Sequence, residues 1–410
     1  MKFLFVDSGL PAFDRASADL RMATIVRLLG EAGHDCTYLA LDTRDQEQKY
    51  GSTELTKYEQ ALTSWGCSVM QRIGIESVLA RNDFDVVYFK YFYPAEHRIR
   101  AVRAMRPCAR IVVDSVDLVF ARLEAKAAVT GDRAERTVAL DVRSRELATY
   151  SAADVVITVT DDEKRILEGL LPGNAVFTLS NIHSCETCAG DPSARPTLIF
   201  VGVFSHEPNV DAVLHFALDI WPTVKAAVPD VQILVVGGSV PPQIAALSSE
   251  DFRILGYVPD LQPLLTKAWV SVAPLRFGAG MKGKVGEAMA AGLPVVTTSF
   301  GAEGFGAVAG RDLLVHDSPT TFAAAVVELL NDASRRAEIA DAGRRFIAQY
   351  YSIAATRRRI EDLTSLLAHA RANVGPLSRI KGSAIRTSYL SRAWLRWYRE
   401  RPDVLRPSSR

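Results

Sequence analysis

Cysteine is scarce in this chain, with five in 410 residues, an odd number scattered along the sequence. That excludes a disulfide framework as the basis of the fold and fits a reducing compartment. Long apolar runs are missing too. Nothing approaches the roughly 18 to 20 uninterrupted apolar residues that span a bilayer. The opening MKFLFVDSGL breaks at Asp7, Gly9 and Pro11, so it reads as a first strand and not as a signal sequence. The expected location is therefore the cytoplasm. Net charge is nearly absent: 48 basic against 47 acidic residues leave +1, which argues against a surface built as a whole for nucleic acid. Metal-ligand clusters are sparse. Cys185 and Cys188 form one C-x-x-C with His183 just before it, but no fourth ligand follows at matching spacing. Free thiols in a loop are expected there, and no metal.

What remains is an ordinary globular composition, 48% hydrophobic and 23% charged, in a chain long enough for two domains. Phe3 to Val6 reads as a strand. A helix follows, with Met22, Ile25, Val26 and Leu29 at helical spacing until Gly33 stops it, and then a strand from Cys36 to Leu41. This is a βαβ unit, which implies a parallel sheet whose ligands bind beyond the carboxyl ends of its strands. Ser8, Gly9, Asp14, Arg15, Asp19 and Arg21 fall in that region. Apolar strands recur at 85–94, 110–117, 154–160 and 175–179, and one charged helix is expected over 118–150. Residues 181–198, rich in Gly, Pro, Ser and Asp, mark a domain boundary near 190, after which the alternation restarts at 198–202, 231–238 and 252–257. Ile353 to Ala370 keeps an apolar stripe and predicts a long helix. Residues 377–410 then hold nine Lys or Arg against Glu400 and Asp403, interleaved with Tyr389, Trp394, Trp397 and Tyr398. Such a tail suits the interface of an anionic membrane. No nucleic-acid reading module accompanies it.

The most informative stretch is VSVAPLRFGAGMKGKVGEAMAAGLPVVTT, residues 270–298. An apolar strand ends at Pro274; Gly278, Gly280 and Gly283 make a loop; a short helix runs to a stop at Gly292; Val295 to Thr298 is the next strand. A helix entered through glycines offers backbone N–H groups and positive dipole to an anion, and Lys282 and Lys284 stand in that turn. A bound phosphate is the physical expectation. Glu287, one turn deeper, suits sugar hydroxyls. Phosphate and ribose together suggest a nucleotide.

In this order, FVGVFSHEPNVDAV (200–213), APLRFGAGMKGKVGEAMAAGLPVVTT (273–298) and GAEG (301–304), with GHDCTYLALD, VDSVDL and ADVVITVTDDE earlier, resemble the glycosyltransferases of family four. The resemblance covers nearly the whole chain to about residue 370. It implies a GT-B α/β fold, two Rossmann-like domains facing a central cleft. The first, 1–190, would bind the acceptor and receive a crossing helix at about 353–372; the second, 191–352, would bind a nucleotide-sugar; 377–410 would be the basic aromatic tail. The implied reaction is transfer from a nucleoside-diphosphate sugar to a glycan or lipid-linked acceptor with retention at the anomeric carbon, without metal or cofactor, in cell-surface polysaccharide synthesis at the inner face of the membrane. Carried over residue by residue, catalysis falls to Lys282, Lys284 and Glu287. The donor side takes Gly202, His206, Asn209, Pro274, Gly278, Gly280, Met281, Gly283 and Glu303. The acceptor side takes Gly9, Asp14, Asp19, Arg21, Asp114 and Asp117.

Three positions depart from the family pattern. Ala279 stands where the first of two glutamates is usual, VFSHEPN replaces a loop that usually carries Arg and Lys, and Val119 replaces a histidine. A nucleotide-sugar 2-epimerase of the same fold, or a non-catalytic nucleotide-sugar-binding subunit, is the alternative.

Overall fold

The computed structural model describes residues 1–185, 192–278 and 280–369. Contacts divide the chain into two compact units. Among the described residues, one comprises Met1–Phe120, Thr137–Leu179 and Arg358–His369; the other comprises Ala121–Arg136 and those of Ser180–Arg357.

The first unit is built on seven parallel strands: β1 (Lys2–Asp7), β2 (Asp35–Ala40), β3 (Ser68–Gln71), β4 (Val86–Lys90), β5 (Arg110–Asp114), β6 (Val155–Thr158) and β7 (Ala175–Thr178). Their order is β3-β2-β1-β4-β5-β6-β7. In register, Phe3 lies beside Cys36 on one side and Val86 on the other. The second unit has six: β8 (Thr197–Val201), β9 (Gln232–Val236), β10 (Phe252–Gly256), β11 (Val270–Ala273), β12 (Val295–Thr297) and β13 (Leu314–Val315), in the order β10-β9-β8-β11-β12-β13. Helices follow most strands. The central strands are apolar along their length because both faces are covered: β4, β6, β11 and β12 are buried throughout. In the second unit Phe200, Val235, Val272, Phe216 and Phe322 belong to one core.

Strand order reverses between β1 and β4 in the first sheet and between β8 and β11 in the second. At such a switch point neighbouring crossovers leave the sheet in opposite directions and open a crevice beyond the carboxyl ends. All four non-glycine residues with left-handed φ among the described residues lie one to three positions after a strand: Arg72 (56°), Tyr91 (66°), Val116 (62°) and Ser239 (62°). Strained backbone is thus concentrated at the carboxyl edges.

Three details differ from expectation. β3 is an edge strand with a half-exposed SVMQ sequence, and β13 is two residues long, so neither carries an apolar run. The single helix expected over 118–150 is two, Val119–Thr130 and Arg133–Ser151. Gly131 at φ +68° breaks it, and Asp132 accepts the Ala134 N–H at 2.7 Å to start the second. The C-terminal helix runs Ile353–His369 and begins in one unit and ends in the other. The basic tail lies outside the described residues.

Candidate functional site: a lysine pair at the switch point of the second unit

The helix Gly283–Ala290 follows β11 through the glycine loop. Val285, Ala288 and Met289 bury one side of it. Its stop is a Schellman motif: Gly292, at φ +73°, donates to Met289 O at 3.0 Å, and Leu293 donates to Ala288 O at 2.9 Å with its side chain buried. Lys282 is the N-cap residue and Lys284 lies in the first turn. Gly278 and Gly280 take φ of +133° and +69°, which side chains at these positions would strain. Ala279 lies outside the described residues. Pro274 and Met281 are buried, and Met281 O accepts a long hydrogen bond from Asn181 at 3.4 Å.

The two lysines take different partners. Lys284 Nζ hydrogen-bonds Asn209 Oδ1 and stands 4.9 Å from the centroid of the Phe200 ring. Burial, with Lys282 next in importance, pushes its ammonium down to about 7. Lys282 Nζ donates to Gly280 O and lies 3.2 Å from Glu303 Oε2. Glu287 is partly buried, and desolvation alone holds its carboxyl above the ordinary range. His206 is the exposed N-cap of the helix Glu207–His215. Gly202, just past β8, has no room for a side chain: a Cβ would lie 2.8 Å from Asn209 Cγ and 3.0 Å from Lys284 Nζ. The expected donor-side residues of the second unit therefore gather at the carboxyl ends of β8, β11 and β12. Chemically, this is an amine poised between charged and neutral, a second cation beside it, and a helix N-terminus, which together suit a diphosphate.

In the first unit the expected acceptor-side residues divide. Asp19 is partly buried and belongs to a trio in which Lys90 Nζ binds Asp19 and, at 3.0 Å, Asp7 Oδ2; Tyr38 donates to Asp7 at 2.8 Å. Burial, reinforced by Asp7 and opposed by Lys90, leaves Asp19 above the usual carboxylate range. Asp14 is held by Lys57 at 2.5 Å and by Tyr58 at 2.7 Å. Burial would raise its carboxyl, but these two hydrogen bonds outweigh it and lower it. Gly9 packs against the Gln46 side chain, and Asp117 is partly exposed after β5. Arg21 and Asp114 depart from the expected role. Both are fully buried and paired at 2.6 Å; Asp114 also accepts the Tyr88 hydroxyl, and Arg21 donates to Leu179 O at 3.0 and 2.6 Å. They tie strand ends together and present nothing to an acceptor.

Sequence reasoning missed Lys90, which was hidden inside an apolar strand. It also missed the place of His183, which is 5% exposed, has no hydrogen-bond partner for Nε2 among the described residues, and lies against the lysine helix. A Cβ on Gly286 would come 2.7 Å from His183 Cε1 and closer still to Nε2.

Two Rossmann-like parallel sheets, with the glycine-lysine turn at the switch point of the second, have the GT-B fold. Residues 195–332 match the family model described as Glycosyl transferases group 1. Solved structures agree on the fold. Sucrose-phosphate synthase from Thermosynechococcus elongatus superposes with a TM-score of 0.66 at 16% identity, over 90% of this chain and 99% of that one. HepE from Anabaena, in complex with UDP, gives 0.66 at 16% identity over 89% and 100%. TarM from S. aureus, in complex with fondaparinux, alpha-GlcNAc-glycerol and UDP, gives 0.53 at 15% over 68% of this chain and 55% of that one. Among curated proteins, an uncharacterized 44.6 kDa protein in the cps region of Klebsiella pneumoniae is 25% identical over 180 residues. That match spans 42% of this chain and 44% of the relative, less than half of either.

Proposed function

We propose that the protein is a retaining glycosyltransferase that moves a sugar from a nucleoside-diphosphate sugar to a glycan or lipid-linked acceptor. The observation that carries this is the lysine pair on a glycine-entered helix at a sheet switch point, inside the segment that matches the family. When the anomeric C–O bond breaks, negative charge grows on the leaving diphosphate, and groups already aimed there lower the barrier. Lys282, Lys284 and the helix N-terminus fill that role without a metal ion; Glu287 holds ribose hydroxyls and Glu303 the donor sugar. The acceptor hydroxyl forms the new bond on the face the diphosphate leaves, and its proton passes to the departing phosphate oxygen. UDP in the HepE and TarM complexes supports a uridine donor. The cps location of the Klebsiella relative supports a role in surface polysaccharide. The first unit would supply the acceptor side, and residues 377–410 would hold the enzyme on the inner face of the membrane.

The test is calorimetric titration with UDP, GDP, ADP and dTDP, followed by product analysis with the matching sugar nucleotides. Lys284→Ala and Glu287→Ala should each abolish nucleoside-diphosphate binding, and nuclear magnetic resonance of the product should show the donor's anomeric configuration. Full binding by both variants would remove the site assignment. Conversion of the donor to another sugar nucleotide with no acceptor present would make the protein an epimerase.

A further inference from the structure

Asn209 differs from the other polar residues around the lysine turn because both the nitrogen and the oxygen of its amide are hydrogen-bonded. It is 5% exposed, on the first turn of the helix Glu207–His215. Its Nδ2 donates to Val203 O at 2.7 Å. A carbonyl oxygen accepts only from a donor, so this bond fixes which end of the amide is which. Oδ1 is therefore turned toward Lys284 Nζ, and the pair is bonded. The surroundings leave no slack. Gly202 has no side chain because the Asn209 amide and the Lys284 amine occupy that space. Gly237, past β9, would in turn drive a Cβ into the Gly202 peptide, 2.7 Å from its carbonyl carbon. The ring of Phe200 lies 4.9 Å from the same amine. Glycine at 237, glycine at 202, the Asn209 amide and the Lys284 amine thus form one close-packed series, with the amine at its end.

We propose that Asn209 is a positioning residue for the donor site: acting through Lys284, it fixes where the amine stands and in which charge state it meets a diphosphate, without itself touching the nucleotide. This rests on the functional assignment above and deepens it. Three elements bear on Lys284: the Phe200 face of β8, the neutral Asn209 amide, and its own helix turn. Lys282, drawn toward Glu303, is the other charged group acting on it among the described residues. A diphosphate arriving at a partly neutral Lys284 completes its protonation, so binding takes up a proton.

The experiment is calorimetric titration of the full chain from pH 6.5 to 9 with UDP, GDP, ADP and dTDP, continued with whichever binds tightest. Above pH 6.5 the terminal phosphate is largely past its own titration near about 6. The wild-type affinity should fall about tenfold per pH unit well above a midpoint near 7, the signature of one linked proton. Asn209→Ala removes the oxygen that favours the ammonium and should move the midpoint to lower pH. Asn209→Asp adds a negative charge and should move it to higher pH. Both variants lose the bond to Val203, so a merely structural fault would weaken binding in both without moving the midpoint in opposite directions. Lys284→Met should lose diphosphate binding at every pH in the range. Where melting curves show that Asn209→Ala does not fold, Asn209→Ser takes its place with the same expected direction. Identical midpoints, or shifts of the same sign in the two variants, would overturn the proposal while nucleotide binding stands. A wild-type chain that binds none of the four diphosphates would overturn both the proposal and the functional assignment.

Discussion

His183 should make the second unit sensitive to acid, by an amount that follows from its setting. The ring is buried, its Nε2 has no hydrogen-bond partner among the described residues, and it lies on Gly286 of the lysine helix. Desolvation pushes its imidazolium down to about 4, from 6.5 for an ordinary histidine. A lowered value means that the folded state favours the neutral ring, so the unfolded chain binds the proton first. Stability is therefore untouched above about pH 6.5, is lost as pH falls from there toward about 4, and is flat below. At about 1.4 kcal/mol per pH unit, the full loss is about 3 kcal/mol, of which about 2 kcal/mol has occurred by pH 5. The assay is urea unfolding, followed by circular dichroism, of wild type, His183→Leu and His183→Gln at pH 7 and pH 5. Glu146 and Glu163, whose carboxyls burial raises to about 7, titrate in the opposite sense. They are common to all three proteins and cancel in the differences. Each variant should be less stable than wild type at pH 7, by about 1 to 3 kcal/mol from lost packing, and that gap should narrow by about 2 kcal/mol at pH 5. A gap that stays the same at both pH values would refute the reasoning, because it would mean that the ring is not buried neutral.

Other consequences can be checked on the same protein. Gly286→Ala puts a Cβ onto the His183 ring and should lower stability by about 1 to 3 kcal/mol; combining it with His183→Ala should recover part of that loss, and strict additivity in the double-mutant cycle would separate the two residues. Arg21→Met leaves Asp114 buried beside Tyr88 without its cation and should cost about 3 to 5 kcal/mol in chemical unfolding; a neutral result would show that the pair is not buried as described. Deleting residues 377–410 should weaken co-sedimentation with vesicles rich in anionic lipid at low salt, an effect that should fade as salt rises. Unchanged binding after deletion would remove the membrane role of the tail.

The strands were legible because parallel strands covered on both faces are apolar throughout, as in DVVYFK and DVVITV, and because Gly33 and Gly292 stop their helices through backbone geometry. Edge strands escape such reading: Ser68–Gln71 is half exposed, so its sequence need not be apolar. The break at Gly131 was hidden by charges that continue on both sides of it. Within the site, the glycine loop and both lysines were legible from local spacing. Their different environments were not, because Asn209 and Phe200 reach Lys284 from 75 and 84 positions away. The same limit applies to Arg21 and Asp114, 93 positions apart, which read as surface candidates and are buried together. Burial that depends on a distant partner leaves no periodic mark in a sequence.

Beneath the carboxyl edge of the first sheet, two ionic networks join five of its seven strands through side chains of the strands and of the first helix. Lys90, Asp7, Asp19 and Tyr38 link β4, β1 and β2, and Arg21, Asp114, Tyr88 and the Leu179 carbonyl link β5, β4 and the end of β7. For an engineer this separates foundation from fittings. The loops after β1, β4 and β5 can be exchanged among related chains as interchangeable parts, provided that these seven side chains travel with the chassis and never with the insert.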